Sequence, residues 1–371
     1  MIVLHIAPLS GNPHSGLTYS VPRLVEAQNA VDNVKAGLVI SKKTKIKVTY
    51  GNFPVFYLSN LEGYFILSSL PRPFNKPDIG VIHSTYIPLH AFFAWQFVKN
   101  NIPYILVPRG GLTVDAQAIK KYKKMFGNIL FLNKMIKKAR AIHYLTKKEH
   151  EKSINLNTNT RYLIFNNGID VGNCNNINKL KKRSVKKFTF IGRFNVYHKG
   201  LDILLYGLAK LGKETLQNNM VLRLYGPKEK AAIKQMDHII KSANLQYVVY
   251  ICDPVYGEKK KNVLYDTDIF VHTSRFEGHP ISVLEAFAHG VPCLLTPETG
   301  IDEQAFESGA AWKTECKSDN IAQSIYHLLS LSDNDLELCG QIAKIYAKKE
   351  LSWNVIAKKI IQQYENILND I

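Results

Sequence analysis

The chain has 371 residues, is 46% hydrophobic, and carries a net charge of +18 from 48 Lys and Arg against 30 Asp and Glu. That length exceeds one ordinary core and points to two domains of similar size, while the apolar content excludes a largely disordered chain. No run reaches the roughly 18–20 apolar residues that span a bilayer, and the best, "LHAFFAWQFV" (89–98), is far too short.

The charge invites an anionic partner. Lysine supplies most of it, with only nine arginines, so a biased genome accounts for the bulk equally well. The five cysteines are odd in number and scattered, without a CxxC pair. They fit a reducing cytosol and argue against a zinc site. The opening "MIVLHIAPLSG" lacks the basic flank of a signal peptide and reads as a first buried strand.

Short runs rich in Val, Ile and aromatics then alternate with helical patterns. In the first half they are "IVLHIAP", "KAGLVIS", "VFYLS", "IGVIHST", "YILVPR", "AIHYLT" and "RYLIFNN". They are continuous rather than alternating, as expected of parallel strands buried on both faces. "PLSGNPHSGLTYS" (8–20) is a loop after the first strand, where Gly16 lets backbone approach a ligand. His83 and Arg109 both sit at strand ends.

The stretch 119–148 holds ten basic residues and no acidic one, interleaved with Phe, Leu, Met and Ile. Lys120, Lys121, Lys123 and Lys124 lead it. It reads either as an amphipathic helix covering its own sheet or as a face lying on an anionic membrane. "GIDVGNCNNINKLKKRSVKK" (168–187), rich in Gly, Asn and Lys, reads as a linker.

The pattern restarts with "KFTFIGR", "VLRLYG", "VVYICD", "IFVHTS" and "PCLLTP". Two successive βα series predict two doubly wound domains. The expected limits are 1–170, a linker 171–186, and 187–351, with a last amphipathic helix, 352–371, whose apolar face carries Val355, Ile356, Ile360, Ile361, Tyr364 and Leu368.

Open α/β sheets bind ligands at the carboxyl ends of their strands. In "FIGRFNVYHKGLDILL" (190–205), Arg193 and Lys199 lie between a strand end and a helix start, an arrangement suited to diphosphate. In "FEGHPISVLEAFAHGVP" (276–292), Glu277 follows a strand, Pro280 suits a helix start, and Gly290 suits its end. Helical side chains lean toward the N-terminus, so Glu285 reaches back toward the same space as Glu277. Amides that bind phosphate, flanked by carboxylates that accept from hydroxyls, fit a nucleotide sugar. The bland alternative is that both glutamates only cap and solvate the helix. Asp266 and Asp268 resemble an Asp-x-Asp metal motif, but they precede a strand and are read as structural.

These motifs resemble the family 4 retaining glycosyltransferases. The resemblance rests on Gly192, Arg193, Lys199 and Gly200, on "NNGID" (166–170), on "LYGP" (224–227) with Gly226, and on "SRFEGHPISVLEAFAHGVPCLLT". It implies an α/β GT-B fold, two Rossmann-like domains facing across a cleft, the first for acceptor and the second for donor. It also implies residue roles. Arg193 and Lys199 would hold the donor diphosphate, Glu277 the sugar hydroxyls and Glu285 the ribose. Gly16, Gly192, Gly226, Gly278, His279, Pro280, Ile281, Thr299 and Gly300 would face the donor.

Arg109 stands where many relatives have a histidine. A permanent cation cannot act as a base, so it would stabilise charge on phosphate or acceptor. His83 and the lysines 120–124 would lie on the acceptor or membrane side. No cofactor or metal is implied. The expected partners are a nucleotide-sugar donor, a glycan or lipid-linked glycan acceptor, and an anionic membrane at the inner face of the cytoplasmic membrane. Nucleic acid is not expected, because aromatic–basic RNA motifs and helix-turn-helix signals are absent. Two rivals stay open: a sugar-nucleotide epimerase of similar architecture, and a basic lipid- or nucleic-acid-binding protein.

Overall fold

A computed structural model describes residues 1–10, 16–42, 51–58, 67–118, 121–154, 160–172 and 184–370. Lys120 and most of the expected linker lie outside the described residues. The chain divides into two compact units, Met1–Gly168 with Trp353–Ile371, and Ile169–Ser352.

The first unit is built on seven strands: β1 (Ile2–Ala7), β2 (Lys35–Ile40), β3 (Val55–Tyr57), β4 (Ile79–His83), β5 (Tyr104–Val107), β6 (Ala141–Tyr144) and β7 (Arg161–Ile164). Each falls on one of the seven apolar runs. Their order is β3-β2-β1-β4-β5-β6-β7, and every ladder between them is parallel. β4, β5 and β6 are buried along their whole length, which is why they read as continuous apolar runs. One face of the sheet packs on the helix Gly16–Asn29 and the last helix, Trp353–Asn369; the other packs on Phe93, Phe97, Leu132 and Ile136. The last helix buries Trp353, Ile356, Ala357, Ile360, Ile361, Tyr364 and Ile367. That is the i, i+3, i+4, i+7 stripe of a helix on a sheet. Val355 and Leu368, expected on that face, are only half-buried at its margin.

The second unit holds β8 (Lys186–Ile191), β9 (Met220–Tyr225), β10 (Val249–Cys252), β11 (Ile269–His272), β12 (Cys293–Leu295) and β13 (Ala311–Lys313). The order is β10-β9-β8-β11-β12-β13, again all parallel. The sequence gives no sign of β13. It has three residues, and Trp312 and Lys313 at its edge are not fully buried, so no apolar run announces it.

The basic stretch 119–148 is not one helix. It divides into a helix Lys121–Gly127, a π-helical turn Asn128–Leu132, a helix Asn133–Lys138, the buried strand β6, and the start of a further helix at Lys147. A lack of acidic residues carries no periodicity, so it could not mark these breaks. Among the described residues, no helix is long and apolar enough to cross a membrane.

Candidate functional site

In each sheet the strand order reverses direction between two central strands, β1 and β4 in the first and β8 and β11 in the second. Such reversals open a crevice at the strands' carboxyl ends. In the second unit the loops leaving β8 and β11 bring the expected residues together.

Gly200 lets those two loops meet, and Gly226 lets the loop after β9 close on the end of β8. Gly200 has φ 61°, and a Cβ there would lie 2.0 Å from the Thr273 carbonyl oxygen. A Cβ on Gly226 would lie 2.1 Å from the Gly192 carbonyl oxygen. Any side chain at either place would push the loops apart. Arg275 completes the seam. Its Nη1 and Nη2 donate to the Asp202 carboxylate at 2.7 and 2.8 Å, and Nη1 also donates to the Tyr197 carbonyl at 2.6 Å.

Within this frame the buried Lys199 ammonium is in contact with the Glu277 carboxylate. His272, fully buried at the end of β11, donates from Nε2 to Glu277 Oε1 at 3.4 Å. His198, stacked on Phe276 at 4.1 Å, lies 3.9 Å from the same oxygen. Burial, and then the charge of exposed Arg193, pull the Lys199 ammonium down to about 7. The touching carboxylate pulls the other way. Burial, with Lys199 beside it, also holds His198 down at about 4 and His272 well below its usual value. Both rings are therefore neutral at neutral pH.

The helix expected after Glu277 runs Ile281–Ala288, with Pro280 as its extended N-cap and Gly290 left-handed just past its end. Burial pushes the His279 imidazole down to about 3. Gly278 has open space where a Cβ would stand. Thr299 is buried, and Gly300 ends its turn at φ 71°. Glu285 is paired with Lys260 of the helix Gly257–Tyr265. One lysine within "EKKKN" gives no sequence signal for that role. His272 had one, a polar residue closing an apolar strand.

Asp266 and Asp268 lie at the opposite, amino end of β11. Lys187 Nζ donates to Asp266 at 2.6 Å, and Lys187 N donates to Asp268 at 2.7 Å. Among the described residues, no cluster of His, Cys, Asp and Glu is arranged to hold a metal.

The first unit holds a second cluster. Arg109, just past β5, donates from Nη1 to Asn167 Oδ1 at 2.6 Å and to Ser20 Oγ at 3.1 Å. Its Nη2 lies 3.4 Å from His83 Nδ1. His83 Nε2 lies 2.9 Å from His5 Nδ1, and His5 Nε2 lies 2.7 Å from Gln28 Oε1. His5, His83 and Gln28 are wholly buried. His83 is therefore buried beside Arg109, with both ring nitrogens engaged by protein groups.

Arg109 itself has φ 55°, and Ser84 and Tyr86 have φ 74° and 62°. Left-handed backbone costs a non-glycine residue about 1–3 kcal/mol and gathers at functional sites. Glu149 accepts from the Gly110 and Leu145 amides and holds the turn. Burial draws the Arg109 guanidinium down to about 10, still charged at neutral pH.

Gly16 begins the helix Gly16–Asn29 with open space around it. Lys121 and Lys123 are exposed, whereas Lys124 turns inward, donates to the Ala116 carbonyl, and lies 5.4 Å from the centre of the Tyr86 ring.

Residues 185–331 match the family model described as glycosyl transferases group 1. The two parallel sheets have the GT-B fold, and the matched residues lie within the second unit. An uncharacterized glycosyltransferase of Methanocaldococcus jannaschii is 25% identical over 181 residues, 48% of this chain and 45% of the relative, so the chain spans about half its length. Protein CapJ of Staphylococcus aureus is 24% identical over 92% of this chain and 86% of its own. The structure of Anabaena HepE in complex with UDP and glucose superposes with a TM-score of 0.70 at 14% identity, covering 99% of this chain and 100% of that one.

Proposed function

We propose that the protein is a metal-independent, retaining hexosyltransferase of the family 4 type. It moves a sugar from a nucleotide-diphosphate sugar, UDP-linked in preference to GDP-linked, to a glycan or lipid-linked glycan in surface polysaccharide synthesis. The observation that carries this reading is the convergence of Arg193, Lys199 and Glu277 where β8 and β11 part. A diphosphate takes Lys199 over from Glu277, and the released carboxylate accepts from sugar hydroxyls. The amides at the start of Ile281–Ala288 face the phosphates, and Glu285 accepts from the ribose. UDP in the complex of a like-folded protein supports the choice of base.

The acceptor oxygen attacks the anomeric carbon from the face of the leaving group. The bond to the diphosphate breaks, and the departing diphosphate oxygen takes the acceptor's proton. Arg193 and Lys199 stabilise the charge that develops on it, and Arg109 supplies a permanent cation for charge on phosphate or acceptor. The exposed side chains of Tyr122, Phe126, Ile129 and Leu130, beside Lys121 and Lys123, support peripheral contact with an anionic cytoplasmic membrane face.

Thermal unfolding with UDP, GDP and their hexose conjugates tests the reading, because a ligand of the native state raises apparent stability. A UDP compound should raise the midpoint of the wild type and leave that of Lys199→Ala unmoved. No shift with any of these ligands at millimolar concentration would overturn it.

A further inference from the structure

Arginine has hydrogen-bond donors and no acceptor. Where its Nη2 meets His83 Nδ1 at 3.4 Å, that nitrogen must accept. A neutral imidazole carries one proton, so His83 Nε2 must bear it and donate to His5 Nδ1, 2.9 Å away. His5 then carries its own proton on Nε2 and donates to Gln28 Oε1 at 2.7 Å. Every step is fixed by the one before it. The opposite direction would set the His83 Nδ1–H against an Arg109 N–H.

We infer that His83 and His5 are positioning residues that hold Arg109 through a one-way chain, Arg109 to His83 to His5 to Gln28. The chain anchors the guanidinium to the sheet through neutral groups only. His83 and His5 are wholly buried on the adjacent strands β4 and β1, and Gln28 ends the chain. The His83 and His5 rings lie edge to edge, with centroids 5.2 Å apart and planes only 15° from parallel, the arrangement that an in-plane N–H···N bond requires. Asn167 and Ser20 fix the other arm of the fork. Among the described residues no carboxylate hydrogen-bonds the guanidinium, and the Glu149 charge acts on it only through space, so its positive charge is not tied up in an ion pair.

A histidine here is not interchangeable with its isosteres. An asparagine at position 83 sets its amide near the Nδ1 position and keeps an acceptor for Arg109. A glutamine sets its amide near Nε2, keeps the link to His5 and loses the acceptor.

The inference rests on the reading that Arg109 acts on phosphate charge, and the test separates the two. Nitrogen-15 labelling of histidine with long-range proton–nitrogen spectra of the wild type should show His83 and His5 neutral and protonated on Nε2. That spectrum requires no variant to fold. A proton on Nδ1 of either ring, or a charged ring at neutral pH, overturns the chain. In turnover of the UDP- or GDP-hexose that the wild type uses, His83→Gln should lower kcat on the order of tenfold with donor KM little changed, and His83→Asn should recover most of it. Equal turnover in the two folded variants overturns the positioning role. Full turnover in Arg109→Ala would instead sink the reading of Arg109, with the spectrum still deciding the chain.

Discussion

Each unit holds a cation near the carboxyl end of its sheet, Lys199 buried and Arg109 half-buried, beside a neutral histidine that ends a neighbouring strand. The partners differ. Lys199 touches the carboxylate of Glu277, whereas Arg109 is held by Asn167, Ser20 and His83, none of them charged. A buried pair is already compensated, so an incoming phosphate must exchange with its carboxylate. A cation held by neutral groups gives up no ion pair to an incoming anion, although Glu149 offsets part of the Arg109 field through space. The chemistry of the side chains follows this division. Lysine, whose ammonium burial pulls to about 7, can be switched; arginine stays charged.

The comparison breaks most readily at the paired cation. Lys199→Ala and Arg193→Ala should each lower kcat/KM by about 2–4 kcal/mol, the scale for one stabiliser of developing charge. Lys199→Ala also strands a buried carboxylate. The double variant Lys199→Met, Glu277→Gln should restore the unfolding midpoint without restoring turnover, and recovered turnover would remove Lys199 from the reaction. UDP binding should weaken as pH rises through about 7, because the folded Lys199 loses its proton there. Calorimetry in a pH series would show a flat affinity if Glu277 overrides burial.

The buried histidines test the first unit alone. Burial holds His5 and His143 down at about 4. The unfolded chain takes up protons below about 6.5 while these folded rings stay neutral. Their contribution is therefore complete above about 6.5 and lost as pH falls toward 4, by up to about 3 kcal/mol per ring. Urea midpoints should drop over that window, and His5→Gln should flatten the drop.

A smaller effect separates the two glutamates. Glu285→Ala should weaken binding of free nucleotide by about 1.5–3 kcal/mol, the range for a hydrogen bond to a charged group. Glu277→Ala should bind nucleotide nearly normally and lose turnover, since sugar contacts change on the way to the transition state. Calorimetry beside kinetics would expose swapped roles.

The surface contrast is weakest. Lys121→Gln with Lys123→Gln should reduce binding of the chain to anionic vesicles by about 1 kcal/mol per lysine at low salt. Co-sedimentation of wild type and variant in equal amounts would end the membrane reading.

The sequence by itself determined most of the strands and the loops that leave β8 and β11. Apolar runs marked twelve of the thirteen strands, and the central β4, β5 and β6 are buried along their whole length, as a continuous run implies. The cations and carboxylates of the second unit were legible because local order places them: a strand end, a loop and a helix start lie within a dozen residues. Only the tertiary structure decided what each charge touches. His272 meets Glu277 because the chain turns back between them, and Lys260 meets Glu285 from a separate helix. His5, Gln28, His83 and Arg109 come from four places in the first unit, and sheet pairing alone sets β1 beside β4 and β4 beside β5. A run of residues records its own period and caps. The partner of a buried polar atom is fixed by strand order, which no local stretch encodes.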